Sequence, residues 1–435
     1  MMTWGRRQVL VAALGLWACQ VAGVQAAESD SVSERKYIRA GTLFDARTGR
    51  VASDRLITIE GDRVTAVEKW PGKLAADADL TDLSDYFVLP GLMDMHVHLM
   101  GTLDRYFFAG YFQSPHRAVI GGVVNAERTL MAGFTTVRNV GAADYQDVAL
   151  RNAIDAGEVP GPRMAVSGPP LGITGGHCDR NALNHRFEER GDGVADGPWA
   201  ARAQVRKNVK YGVDLIKLCA TGGVFSKGTQ VGQTQYTLEE MRNIVEEAHV
   251  HGRTVAAHAH GNEGIRLAIE AGVDSVEHIS FLDESTALLA KQRGTYLAPD
   301  IYNTEYTLAQ GEQNGVPQEN IDKERMVGER QREAFAIAVR AGAKVVFATD
   351  AGVYPHGDNG KQFSRMVKLG MTEPQALQAA TWLPAPLLKR DGELGRVAPG
   401  YYAEVIAVKG NPREDISELE DVDFVLKGGV VFKVQ

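Results

Sequence analysis

Between residues 92 and 349 the chain alternates short apolar, β-branched runs with longer stretches whose apolar positions recur at helical spacing. The runs at 92–98, 135–139, 164–167, 215–219, 254–258, 275–278, 295–298 and 344–349 predict strands. The stretches at 117–132, 200–211, 238–251, 264–271, 285–293 and 325–341 predict helices between them. This alternation predicts an α/β fold, a (β/α)8 TIM-type barrel whose chemistry sits at the C-terminal strand ends. The loops at 179–198 and 302–320 are expected to shape its mouth. Both chain ends read differently. Segments 39–44, 56–60 and 63–68, and again 403–408, 422–426 and 430–434, are short strands separated by Gly- and Asp-bearing turns. They predict one small β-sandwich domain, residues 27–90 with 397–435, beside a barrel of residues 91–396. No internal repeat, low-complexity tract or coiled-coil heptad interrupts this plan.

Residues 1–26 stand apart. Arg6 and Arg7 precede an apolar run from Val9 to Val24, and small residues follow at Ala26 and Ala27. That is the layout of a secretory signal peptide, too short and wrongly flanked for a stable membrane span. The Arg6-Arg7-Gln8 start also resembles a twin-arginine export signal. The expectation is an exported protein, periplasmic or secreted. At 435 residues, 44% hydrophobic and 23% charged, the chain has the composition of a globular enzyme. A net charge of −8 without any Lys/Arg-rich run argues against nucleic acid as a partner. Of three cysteines, Cys19 lies in the leader. Cys178 and Cys219 are too few to suggest a disulfide framework and read as small buried residues.

Candidate chemistry is concentrated at the strand ends. His96 and His98 close the first barrel strand, and in a strand residues i and i+2 project to one side, so both imidazoles can reach one ion. Lys217, His258, His278 and Asp350 each close another apolar run. Imidazole and carboxylate suit zinc or a similar divalent metal, and the six together make a two-metal site. Hydrolysis is the chemistry such a site performs.

The stretches Pro90-Gly-Leu-Met-Asp-Met-His-Val-His98, Gly133-Phe-Thr-Thr-Val-Arg-Asn-Val-Gly141 and Ile173-Thr-Gly-Gly-His-Cys178 carry a family resemblance. So do Ile216-Lys-Leu-Cys-Ala-Thr-Gly-Gly223, Ala257-His-Ala-His-Gly261, Val276-Glu-His278, Ala348-Thr-Asp-Ala-Gly352 and Pro399-Gly-Tyr-Tyr-Ala-Glu404. On these motifs the chain resembles the amidohydrolase superfamily, in its Xaa-Pro dipeptidase and ochratoxinase-like, imidazolonepropionase-related branch. Asn139 departs from the Asp that relatives commonly carry after the Arg.

The resemblance implies that His96, His98 and Asp350 hold one zinc ion and that His258 and His278 hold a second. It implies that Lys217, as an N6-carboxylated lysine, and a hydroxide bridge the two. Asp350 would then take the proton of the attacking water and return it to the leaving amine. His177, His260, Tyr236 and Arg138 are candidate substrate contacts, with Tyr236 alternatively a structural residue before an N-cap at Thr237. The implied substrates are dipeptides of Xaa-Pro type or N-acyl and N-aroyl amino acids such as ochratoxin A. A homo-oligomer is implied, with octamers known in the branch. Two other readings are a mononuclear imidazolonepropionase or deaminase and a non-catalytic binding protein. Lys217 and Gly261, which stands where deaminases place Glu, count against the first; the complete ligand set counts against the second.

Overall fold

The computed structural model describes residues 35–101 and 114–434; the leader expected at 1–26 lies outside the described residues. Four strands open the chain, β1 (Arg35–Asp45), β2 (Arg50–Glu60), β3 (Arg63–Lys69) and β4 (Asp79–Pro90). Eight follow in the centre: β5 (Leu92–Val97), β6 (Phe134–Asn139), β7 (Arg163–Val166) and β8 (Leu215–Cys219), then β9 (Thr254–Ala259), β10 (Ser275–His278), β11 (Tyr296–Ala298) and β12 (Lys344–Val345). Three close it, β13 (Val405–Val408), β14 (Phe424–Lys427) and β15 (Val430–Val434).

The two chain ends pair as expected, but into one continuous seven-stranded sheet of order β15-β14-β13-β4-β1-β2-β3 rather than a two-sheet sandwich. The reason is β4. It hydrogen-bonds to β1 in parallel and to β13 antiparallel, so the N- and C-terminal strands lie edge to edge instead of face to face. Alternation along these strands serves two cores at once. Val88, Val405 and Ala407 join a cluster private to this sheet, while their neighbours Phe87, Leu89, Ile406 and Val408 join the main core.

The eight central strands run parallel in a three-stranded sheet, β5-β6-β7, and a five-stranded sheet, β8 to β12 in order. Backbone hydrogen bonds cross both seams. Leu171 N donates to Lys217 O and Cys219 N to Leu171 O on one side; Met95 N donates to Phe347 O and Asp350 N to His96 O on the other. Strands β5, β6, β8 and β10 are buried along their whole length, as parallel strands covered by helices must be. A lysine in the middle of such a strand, Lys217 in Leu-Ile-Lys-Leu-Cys219, therefore needs a chemical reason.

The covering helices follow the apolar period. In helix Leu238–Val250 the buried residues Met241, Ile244, Val245 and Ala248 form one stripe, and the Thr237–Glu240 capping box starts it as the sequence predicts. The periodic reading passed over the helices Gln146–Asp155, Lys361–Lys368, Glu373–Ala379 and Pro384–Leu387, and near residues 303–324 it was blurred by polar inner faces. Asn303–Gln310 buries Asn303, Thr304 and Thr307 inside what the sequence marks as a loop. Helix Gln318–Ala341 begins seven residues ahead of the predicted 325, through buried Asn320, Ile321 and Glu324. Among the described residues no helix is long and apolar enough to cross a membrane.

Glu404 joins the terminal sheet to the parallel strands. Its carboxylate accepts from Thr135 Oγ1 at 2.7 Å, Thr136 Oγ1 at 3.2 Å and Arg163 Nε at 3.1 Å, and its carbonyl from Gly91 N at 2.9 Å. Glu404→Ala removes one partner of a largely buried pair and leaves two threonine hydroxyls without an acceptor. A loss of about 2–4 kcal/mol is expected. Urea denaturation checks it, as a lower midpoint at unchanged slope.

Candidate metal centre

The ends of β5 and β12 meet at three ligand atoms. His96 Nε2 lies 3.3 Å from His98 Nε2, and both lie 3.3 Å from Asp350 Oδ1. An ion bonded tetrahedrally at roughly 2.0–2.1 Å sets its ligand atoms about 3.3 Å apart, which is the zinc–imidazole case. The inward direction of each imidazole is set from behind. His96 Nδ1 stands 3.0 Å from the Glu277 carboxylate and His98 Nδ1 3.4 Å from Gly141 O, so the Nδ1 hydrogens are used there and the Nε2 lone pairs face inward. Asp350 has a left-handed backbone, φ 57°, which turns its carboxylate back over the strand ends.

A second group lies beside the first. His258, His260 and His278 bring ring nitrogens within 4.8 Å of one another, and a His278 nitrogen and the carboxylate oxygens of Asp300 and Asp350 lie equally close together. Here too the outer nitrogens are engaged, His278 Nδ1 with Asp300 at 2.9 Å and His260 Nδ1 with Ser280 Oγ at 2.7 Å. His258 Nε2 is buried and has no hydrogen-bond partner among the described residues. A buried nitrogen aimed into a nest of imidazoles with nothing to bond is what a ligand without its ion looks like. Both groups fit divalent metal.

Electrostatics follow burial. Burial, reinforced by neighbouring histidines, drives His258 and His278 well below the usual imidazole range, and burial brings His260 down to about 4. These rings are neutral, the form that ligates. Burial presses the Lys217 amine down to about 8, against the attraction of Glu277, Asp350 and Asp300. Burial alone would raise Asp350, but His96 and His98 hold it well below the carboxylate range. Burial and the Asp350 charge push Asp300 well above that range.

Sequence reading missed Glu277. Its carboxylate accepts from Arg138 Nη2 at 2.8 and 2.9 Å and from Ser275 Oγ at 2.5 Å, besides facing His96. Burial would raise its pKa, yet Arg138 and His96 together bring it to about 2. Strict alternation along β10 would send Glu277 and His278 to opposite sides. His278 has φ 68°, and that left-handed turn breaks the alternation, so both residues reach His96.

Arg138 is therefore not free to grip a substrate carboxylate. It is 1% exposed, is paired with Glu277, and donates to Met95 O at 2.6 Å and Ser275 Oγ at 2.8 Å. Tyr236 is likewise structural: it is fully buried and its hydroxyl donates to Ala195 O at 2.9 Å. Asn139 braces the strand ends, its Oδ1 accepting from Leu99 N at 2.8 Å.

His177 does reach the cluster. Its ring stacks on His258 at 4.1 Å, its Nδ1 meets Ser226 Oγ at 2.9 Å, and its backbone N–H donates to Gln235 Oε1 at 3.0 Å. Burial lowers its pKa to about 3. A Cβ on Gly223 would fall 2.4 Å from the His177 ring, so only glycine fits beneath it. Cys178 and Cys219, expected as separate buried residues, form a disulfide, with Cα atoms 6.1 Å apart. Their spacing of 41 residues hid the pairing; only the return of the loop after β7 onto β8 brings them together.

With that geometry in hand, the relatives are informative. The amidohydrolase family model matches residues 87–433. Ochratoxinase from Aspergillus niger is 31% identical over 406 residues, spanning 88% of this chain and 82% of the relative. The crystal structure of a Xaa-Pro dipeptidase with bound methionine in its active site superposes with a TM-score of 0.88 at 38% identity, covering 92% of this chain and 100% of that one. A prolidase complexed with N-methylphosphonate-L-proline gives a TM-score of 0.85 at 30% identity, covering 92% and 100%.

The Arg138 assignment has a direct test. Arg138→Met leaves Glu277 buried without its countercharge, and a stability loss of about 3–5 kcal/mol is expected. Adding Glu277→Gln to that variant should recover part of the loss, since the two side chains act as one unit. Denaturant midpoints of the metal-free proteins report both. An Arg138 variant of full stability that is weakened only in substrate affinity would return the residue to the binding pocket.

Proposed function

The chain belongs to the amidohydrolase family, and from that premise we propose that it is a binuclear metal-dependent hydrolase releasing a C-terminal amino acid from a dipeptide or an N-acyl amino acid. One observation carries the reading, the triangle of His96, His98 and Asp350 ligand atoms at 3.3 Å, with the unbonded His258 Nε2 alongside it. The parallel strands form a (β/α)8 barrel on this reading, with the ligands around its mouth. His96, His98 and Asp350 would hold one ion, His258 and His278 the other, and Lys217 as a carbamate would span the two. The lysine is suited to that role: it is 4% exposed, and burial favours the uncharged amine that adds CO2.

When bound, the metal pair supplies Lewis-acid chemistry, acidifying a water and polarising a carbonyl. The side chains do the rest. Asp350, whose carboxylate lies beside His96 and His98, would accept a proton there and deliver it to the departing amine nitrogen. His177 and His260 present uncharged imidazoles to the substrate, each held at Nδ1 by a serine hydroxyl. Glu277 and Arg138 keep His96 in register from below. Substrate class is taken from the relatives, a Xaa-Pro dipeptidase with bound methionine, a prolidase complexed with N-methylphosphonate-L-proline and an ochratoxinase. Export is supported by the Cys178–Cys219 bond, since disulfides persist in oxidising compartments.

Metal analysis after loading with zinc and bicarbonate should find two ions per subunit, and chelation should abolish hydrolysis. A panel of Xaa-Pro and Xaa-Phe dipeptides and N-aroyl amino acids, read by release of the free amino acid, should identify the substrate. One ion per subunit with activity only on cyclic amides would move the chain to the imidazolonepropionase type. No bound ion would leave a binding protein.

A further inference from the structure

The Cys178–Cys219 disulfide lies between the strand that carries Lys217 and the loop that carries His177. Cys219 is two residues beyond Lys217 on β8 and is 1% exposed. Cys178 follows His177 directly and is partly exposed. The loop between β7 and this bond is glycine-rich, Gly172-Ile-Thr-Gly-Gly-His-Cys178, and Thr174 and Gly175 face solvent. Such backbone has many conformations to lose when it is ordered. Close by His177, order comes from its hydrogen bonds to Ser226 and Gln235 and from ring stacking on His258, with Thr174 held by Asp196 and the Gly176 carbonyl by Asn181. The disulfide adds a covalent stop one residue on. It draws the loop tightly onto itself, since a Cβ at Gly172 would meet Cys178 Cβ at 2.7 Å.

We infer that Cys178 and Cys219 are positioning residues: their bond holds the His177 imidazole at the metal-binding cluster, and opening it lowers turnover while leaving the cluster loaded. Most of the metal-binding side chains stand away from this bond. His96, His98 and His278 keep their own partners, while His258 stands on β9 and Asp350 beyond β12. Lys217 shares β8 with Cys219 and is held there by the ladder to β9. Opening the bond therefore releases the His177 segment, which supplies none of the proposed ligands. The reductive step balances with a phosphine. The S–S bond breaks, phosphorus supplies two electrons and takes the oxygen of one water, and that water's two protons complete the thiols. Attack falls on the Cys178 sulfur, the one within reach of solvent.

The kinetic arm rests on the proposed amide hydrolysis; the structural arms do not. Metal-loaded protein is treated with tris(2-carboxyethyl)phosphine and followed by thiol titration, metal analysis, hydrogen–deuterium exchange and hydrolysis of an Xaa-Pro dipeptide. Two new thiols, unchanged metal content and faster exchange confined to residues 172–180 are expected. Turnover should fall by roughly tenfold to a hundredfold, the scale of a misplacement of about 1 Å in a positioned group. Cys178→Ser should show the same fall without reductant and no further response to it. Release of both thiols with exchange and turnover unchanged overturns the inference, as does finding both thiols free in protein prepared under air. If the oxidised protein hydrolyses none of the amides, the amidase reading has failed, and the exchange arm alone decides this one.

Discussion

Lone pairs that converge in a largely buried site favour a cation, and that constraint organises the mouth of this molecule. Three imidazoles, His96, His98 and His278, each place an oxygen acceptor at Nδ1, so their Nε2 atoms turn inward as acceptors. The Asp350 carboxylate joins them, held ionised. Without a positive charge among them these atoms repel one another and forfeit the solvation that burial removed. The fold accepts that cost by anchoring these three histidines from behind, which is the arrangement that fixes a ligand's tautomer and direction before the ion arrives. Ligand geometry is thus built by the protein and not by the metal.

Anchoring of this kind demands charges deeper in the protein. Glu277 can sit beneath His96 only because Arg138 neutralises it, and Arg138 can be buried only because Met95 O, Ser275 Oγ and Glu277 take up its N–H groups. Breaking either partner would leave an uncompensated charge where solvent cannot reach. Backbone strain accompanies the same residues. His278 and Asp350 both occupy the left-handed region, at φ 68° and 57°, each carrying a cost of order 1–3 kcal/mol. β10 ends at His278, and past Asp350 only the single bridge of Ala351 to Val97 remains, so these ligand side chains are released from alternation.

Much of this was legible before any coordinates. Apolar, β-branched runs marked all eight central strands because a parallel strand covered on both faces has no polar positions to blur its signal. The metal-type residues stood out for the same reason, as polar side chains closing apolar runs. What stayed hidden was polar and buried. Glu277, Asp300 and Ser226 resemble surface residues in sequence, and helices such as Asn303–Gln310 point amides and hydroxyls inward where periodicity looks for leucine. Arg138 and Tyr236 misled in the opposite direction. Both are residue types that grip carboxylates, and sequence cannot show that their donors are already spent on Glu277 and Ala195 O. Cys178 and Cys219 were separated by a crossover whose path is a property of the whole fold.

Lys217 gathers these threads. As an ammonium it would bring positive charge to a cluster whose purpose is to attract cations, from a strand with no solvent to screen it. An imidazole that ligates a metal contributes no charge, so among the histidines and Asp350 of the proposed ligand set Asp350 alone would face two divalent ions. Conversion of the amine to a carbamate replaces a positive group by a negative one and changes the ligand set by two charges, in the direction that two dications require. Burial works toward the same end, since it disfavours the ammonium and leaves the nucleophilic amine. On this reading the buried lysine is tolerated in β8 because it does not remain a lysine. The strand would supply a rigid tether and carbon dioxide the charge, while neighbouring Arg138 and Glu277 neutralise each other.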